Sequence, residues 1–316
     1  MPVIQDADRV ILQHPKGSSA EILFYGATVV SWKAPSPSGT EPVERLFVSG
    51  KAALDGSKPV RGGIPVVFPC FGAPTHPTHA KLPQHGFARS NAWTFNSIVM
   101  DNDAGVSVKL SEFIEDDGAI RGAHQTSVRV AGLGPNPTIQ QQYDYPFHLD
   151  FVVTLAEHQL STDLHVKNTG LSTNPPIEFQ ALFHNYIRAP ANEVRVSPLT
   201  GLSYYDKTEA TEEARAKPKV ESRQGVDVNK FTDSVYENAP GRYDVVWPSG
   251  AIEIRATNLK DVVVWNPQQE AGAKIGDMET GGWEKYVCVE PGHVRGFIKL
   301  PAGETWVGQQ VLTVKV

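Results

Sequence analysis

Residues 147–167 read FHLDFVVTLAEHQLSTDLHVK. In the first run Phe147, Leu149, Phe151, Val153 and Leu155 share one side, while His148, Asp150 and Thr154 fall on the other. The second run, from Leu160 to Lys167, repeats the alternation through Leu160, Leu164 and Val166. A repeat of two places successive side chains on opposite faces of an extended chain, so both runs read as half-buried antiparallel strands. Asn168-Thr169-Gly170 closes the second with turn-forming residues.

The same pattern extends outward in both directions. Upstream, EILFYGATVVSWKAP from Glu21 is rich in β-branched and aromatic residues and stops at the turn cluster PSPSGTEP. RLFVS at Arg45–Ser49 predicts another strand, and AWTFNSIVM and VSVKLSEF predict a hairpin about Asp101–Gly105. Downstream, strands are expected at Ile177–Phe183, Val194–Val196, Leu202–Asp206, Tyr243–Val246, Ala251–Ala256, Val262–Trp265, Lys285–Val289 and Trp306–Val316. The polar segment Thr208–Asn229 reads as an exposed loop or a short surface helix. With 27 Gly and 24 Pro punctuating short strands and few helical repeats, the chain is expected to be all-β, a large sandwich of antiparallel sheets with few short helices.

Composition narrows the function classes. A length of 316 residues allows one large domain or two, and a single domain over residues 1–316 is expected. No apolar run approaches a membrane span, the N-terminus MPVIQDADRV lacks the features of a signal peptide, and a net charge of −6 argues against nucleic acid as a partner. A cytoplasmic protein with no membrane association follows as the expectation, and its two cysteines, Cys70 and Cys288, are expected to be buried packing. There is no Gly-x-x-x-x-Gly-Lys-Ser/Thr, Gly-x-Gly-x-x-Gly or Gly-x-Ser-x-Gly, so phosphate-loop, dinucleotide and α/β-hydrolase chemistry fall away.

Chemistry-bearing residues gather between Val60 and Ser90, in VRGGIPVVFPCFG and LPQHGFARS. Arg61, Gln84, His85 and Arg89 place donors beside glycines, which allow close backbone approach to a ligand, and two guanidinium forks suit an oxyanion. Cys70, His76, His79 and His85 offer metal-type ligands within sixteen residues. Their irregular spacing, and Pro74, Pro77 and Pro83 between them, exclude the helical ligand face, so no metal is expected. Farther on, His184 ends the run Ile177–Phe183 and Glu290 ends Tyr286–Val289. A carboxylate ionised at pH 7 and an imidazole titrating near it form a base and acid pair able to move two protons.

These motifs, with QALFHNYIR, GLSYYDK, FTDSVY, VVVWNP and YVCVEPG in that order over most of the chain, resemble the hexose-6-phosphate mutarotases (glucose-6-phosphate 1-epimerases) of the aldose 1-epimerase superfamily. The resemblance implies a galactose-mutarotase-like super-sandwich and places the catalytic acid on His184 and the base on Glu290. It puts ligand binding on Arg61, Gln84, Arg89 and Asp233, with Asp206 a rival for the aspartate; His85 is a further candidate contact. Where relatives often carry Thr-Asp-Arg, this chain has Ser234 after Asp233. A hexose 6-phosphate substrate, no cofactor and a monomer are the corresponding expectations. An epimerase of unphosphorylated sugars and a non-catalytic sugar-phosphate-binding protein are the rival readings.

Overall fold

The computed structural model describes residues 3–36, 39–102, 104–111 and 136–315. The hairpin expected from residues 147–167 is present. Strands Phe147–Leu155 and Gln159–Asn168 pair with Leu155 opposite Leu160 and Phe147 opposite Asn168, and the odd-numbered apolar side chains of the first are fully buried. This pair sits inside an eight-stranded antiparallel sheet, in the order Arg195–Ser197, Arg242–Trp247, Gly250–Thr257, Thr305–Val314, Gln159–Asn168, Phe147–Leu155, Gly105–Ser111, Thr94–Asn102.

A second large sheet runs in the order Lys219–Val220, Ser203–Asp206, Thr232–Tyr236, Asp261–Asn266, Tyr286–Leu300, Ile177–Phe183, Val66–Val67, with Tyr186–Arg188 also paired to Tyr286–Leu300. A five-stranded meander, Val3–Gln5 through Gly39–Glu44, supplies the third sheet. The sheets share one apolar core. Phe151 of the first meets Phe183 of the second with ring centroids 6.1 Å apart, Trp306 meets Phe179 at 5.4 Å, and Val10, Leu12, Ile22 and Trp32 of the meander join the same cluster. The central strands of the second sheet, DVVVWN and YVCVE, are nearly continuous in apolar residues because both their faces are covered.

Several expectations need adjusting. Arg45–Ser49 is not a strand. Arg45, Phe47 and Ser49 donate their amides to Trp32, Tyr186 and Arg61, so the segment crosses three neighbours and runs alongside none. Thr208–Asn229 does hold a short surface helix, Glu212–Ala216, whose Thr211 hydroxyl accepts from the Ala214 amide, and adds a short edge strand that was not expected, Lys219–Val220. Thr232–Tyr236, not anticipated as a strand, pairs with both Ser203–Asp206 and Asp261–Asn266. Glu112 and Phe113, at the end of the run begun at Val106, lie outside the described residues.

Candidate active site

Alternation along the second sheet sorts its side chains. Val262, Val264, Val287 and Val289 enter the shared core. Asp233, Val235, Val263, Trp265, Cys288 and Glu290 therefore take the opposite face. Register then sets them in rows. Glu290 lies across from Val263, which faces Val235, while Cys288 lies across from Trp265, which faces Asp233. Neighbours so paired sit within side-chain reach, so two carboxylates and an indole share one patch of sheet.

His184 reaches the same patch from the neighbouring strand. It follows Ile177–Phe183 directly, and its amide donates to the Pro65 carbonyl. The next residue, Asn185, donates its side-chain amide to the Val289 carbonyl at 2.9 Å and exchanges two hydrogen bonds with Gln310, tying the imidazole's segment to the strand bearing Glu290. His184 Nδ1 lies 3.5 Å from Glu290 Oε1 without hydrogen-bond alignment; Nδ1 and Glu290 Oε2 are both buried without a partner. The imidazole stacks on Tyr186 at 4.8 Å and 12°, and meets Trp265 and His85 edge-on at 5.9 Å each.

Two loops bring the cations. Arg61 Nε donates to Asp277 Oδ1 at 3.0 Å and Nη1 to the Tyr186 hydroxyl at 3.2 Å. Arg89, in the short 3-10 turn Ala88–Ser90, donates Nη2 to the Gln84 carbonyl, while its Nε is buried without a partner. The glycines beside these arginines serve the chain's own backbone, a correction to the expectation that they make room for a ligand. A Cβ on Gly62 or Gly63 would stand 2.3 or 2.2 Å from the Phe47 or Val29 carbonyl oxygen, and one on Gly86 2.1 Å from that of Phe68. Gly72 donates its amide to His85 Nδ1, which leaves the proton of a neutral His85 on Nε2, 3.4 Å from the Gln84 amide.

Arg61, Gln84, His85, Arg89, His184, Asp233 and Glu290 all line one cleft of about 170 Å³. Phe71, Val263, Trp265 and Lys207 complete the lining. Lys207 is not singled out by the sequence, since within GLSYYDK one more lysine carries no mark of its role. Its ammonium lies 4.5 Å from the Phe71 ring and 3.9 Å from Asp233. Asp206 is not part of the lining. It pairs with Lys219 at 2.8 Å and caps Thr208. Of the four clustered metal-type ligands, only His85 lines the cleft; His79 bonds the Glu178 carbonyl, His76 lies 3.5 Å from the Glu178 carboxylate, and Cys70 faces the Pro83 carbonyl. Among the described residues, the set whose donor atoms do converge is His184, Cys288 and Glu290, within 4.8 Å of one another.

Burial governs the charges here. Burial first, then the Asp233 carboxylate, hold the Glu290 carboxyl well above its ordinary 4.5, against Lys207 and Arg89. Burial, followed by His85, Arg89 and Arg61, holds His184 well below 6.5. From the sequence, Glu290 is expected to be ionised at pH 7. Desolvation instead disfavours charge on both members, raising the acid and lowering the imidazole.

The chain resembles known proteins throughout its length. A protein of Cenchrus ciliaris named "Putative glucose-6-phosphate 1-epimerase" is 28% identical over 315 residues, covering 97% of this chain and 84% of the relative. One of the same name from Escherichia coli K12 is 26% identical over 91% of this chain and 83% of its own. Among solved structures, a mutarotase-named protein of Salmonella typhimurium superposes with a TM-score of 0.77 at 21% identity, covering 99% of this chain and 96% of its own. The Slr1438 protein of Synechocystis superposes at 0.72 with 18% identity, over 100% of this chain and 99% of its own. These likenesses show the mutarotase-type β-sandwich. Among the described residues no helix is long and apolar enough to cross a membrane. Residues 8–313 match the aldose 1-epimerase family, and the chain belongs to that family of sugar-epimerising enzymes.

Proposed function

We propose that this protein interconverts the α and β anomers of a hexose 6-phosphate, and that His184 and Glu290 move the protons. The observation that carries the reading is two guanidinium groups, Arg61 and Arg89, in the same cleft as a buried imidazole–carboxyl pair. Anomerisation takes the O1 proton and gives one to the ring oxygen O5 as the C1–O5 bond breaks; the open aldehyde turns about C1–C2 and recloses on its other face. An imidazole and a carboxyl side by side suit this, since one member accepts as the other donates. Glu290 takes the O1 proton, His184 as imidazolium protonates O5, and both return on closure, each contributing roughly 10²–10⁴-fold.

Arg61 and Arg89, which line the cleft, hold the 6-phosphate. A phosphate there offsets two of the charges that keep the imidazole neutral, so substrate binding favours the imidazolium. Asp233 and Gln84 accept and donate to sugar hydroxyls, with Trp265 as an apolar wall. The test is magnetisation-exchange NMR on glucose 6-phosphate. Wild type is expected to speed exchange, Glu290→Gln and His184→Ala to abolish the acceleration while folding normally, and normal turnover by Glu290→Gln would refute the assignment.

A further inference from the structure

Arg61 is held from two sides. Its Nε–H donates to Asp277 and an Nη1–H to the Tyr186 hydroxyl, and among the described residues Nη2 has no hydrogen-bond partner. Two anchored nitrogens fix the plane of a guanidinium, leaving its remaining edge for an anion. Asp277 stands in the polar turn between the helix Gln268–Gly272 and the strand Tyr286–Leu300, far from Arg61 in sequence and absent from the cleft lining.

The pair is not an incidental surface bridge. Each side chain is only about a quarter exposed, at 28% and 26%. The Arg61 backbone and the turn two residues beyond Asp277 are pinned to one short segment: Ser49 donates its amide to the Arg61 carbonyl, while the Ser49 hydroxyl accepts from the Glu279 amide and the Glu279 carboxylate accepts from the Gly50 amide. Tyr186, the second anchor, carries the His184 imidazole stacked on its ring. Asp277, Arg61, Tyr186 and His184 thus form one chain of contacts from a loop to the proton-moving pair.

We infer that Asp277 is a positioning residue that sets the orientation of Arg61, so that a phosphate-bearing substrate is gripped at a fixed distance from His184 and Glu290. The inference rests on the proposed hexose 6-phosphate reading. Its physical content is a trade. A carboxylate beside the arginine weakens the arginine's pull on a phosphate, and the gain is a guanidinium held in one orientation. Without Asp277, binding loses more from misdirection than it recovers in charge.

The experiment is a double-mutant cycle in steady-state anomerisation of glucose 6-phosphate, with wild type, Asp277→Ala, Arg61→Ala and the double variant. Asp277→Ala is expected to raise KM roughly ten-fold with kcat within about two-fold of wild type, and to add nothing in the Arg61→Ala background. A KM that stays the same or falls, or an effect that persists in full without Arg61, would overturn the inference, the latter because it marks a loop-folding role. If Asp277→Ala does not fold, Asp277→Asn is read by the same criteria. Wild-type turnover of glucose in the same assay separates the two claims. Equal efficiency on glucose and glucose 6-phosphate defeats the phosphate reading itself, whereas clear discrimination with an additive cycle defeats only the role of Asp277.

Discussion

Glu290 is a carboxyl with 1% of its surface exposed, one oxygen unpartnered and Asp233 nearby. Such a group costs stability whenever it must ionise. Its folded pKa lies above the ordinary 4.5, so its favourable contribution is complete below pH 4.5 and is lost as pH rises through the folded value. Glu290→Gln is therefore expected to melt higher than wild type at pH 7, by on the order of 2–4 °C, with the gap closing below pH 4.5. Scanning calorimetry at pH 4 and pH 7 checks it. Arg89→Ala, in the same cleft, is expected to raise KM for glucose 6-phosphate with little change in kcat. His184, Glu290 and the arginines were legible because short motifs carry them in a recognisable order. Lys207, Tyr186 and Asp277 were not, since their roles come from which distant segment each one touches.

At the scale of elements, the strand Thr232–Tyr236 delivers Asp233 and is secured at its other end by Tyr236, whose hydroxyl donates to Glu221 Oε2 at 2.6 Å. Arg223 grips the same carboxylate through both oxygens. Burial alone would raise the Glu221 pKa, yet the hydrogen bonds from Arg223 and Tyr236 outweigh it and bring it to about 2. A depressed carboxylate stabilises above the unfolded value of 4.5 and loses that contribution as pH falls toward 2. Tyr236→Phe is expected to cost about 1.5–3 kcal/mol in urea unfolding at pH 7 and less at pH 3. Long strands such as Phe147–Leu155 could be read from alternation because one face is buried along their whole length. Val66–Val67 could be read as a buried strand from its apolar run, whereas Lys219–Val220 is too short to show a period, and RLFVS has strand composition but no neighbour running beside it.

Across the whole molecule, the site depends on two sheets meeting behind it. Asn185 and Gln310 join the segment of His184 to the strand Thr305–Val314 of the opposite sheet through reciprocal, fully buried amide bonds. Asn185→Ala strands the Gln310 amide and frees the imidazole's backbone, so a loss of about 1–3 kcal/mol in stability is expected together with a fall in kcat. Denaturant unfolding and anomerisation kinetics measure both. The most direct check of the central claim compares kcat/KM for glucose 6-phosphate and glucose in wild type and in the Arg61→Ala/Arg89→Ala variant. The account predicts a strong wild-type preference for the phosphorylated sugar that collapses in the variant, with the slow reaction on glucose retained. A preference that survives loss of both arginines, or none in wild type, would contradict it.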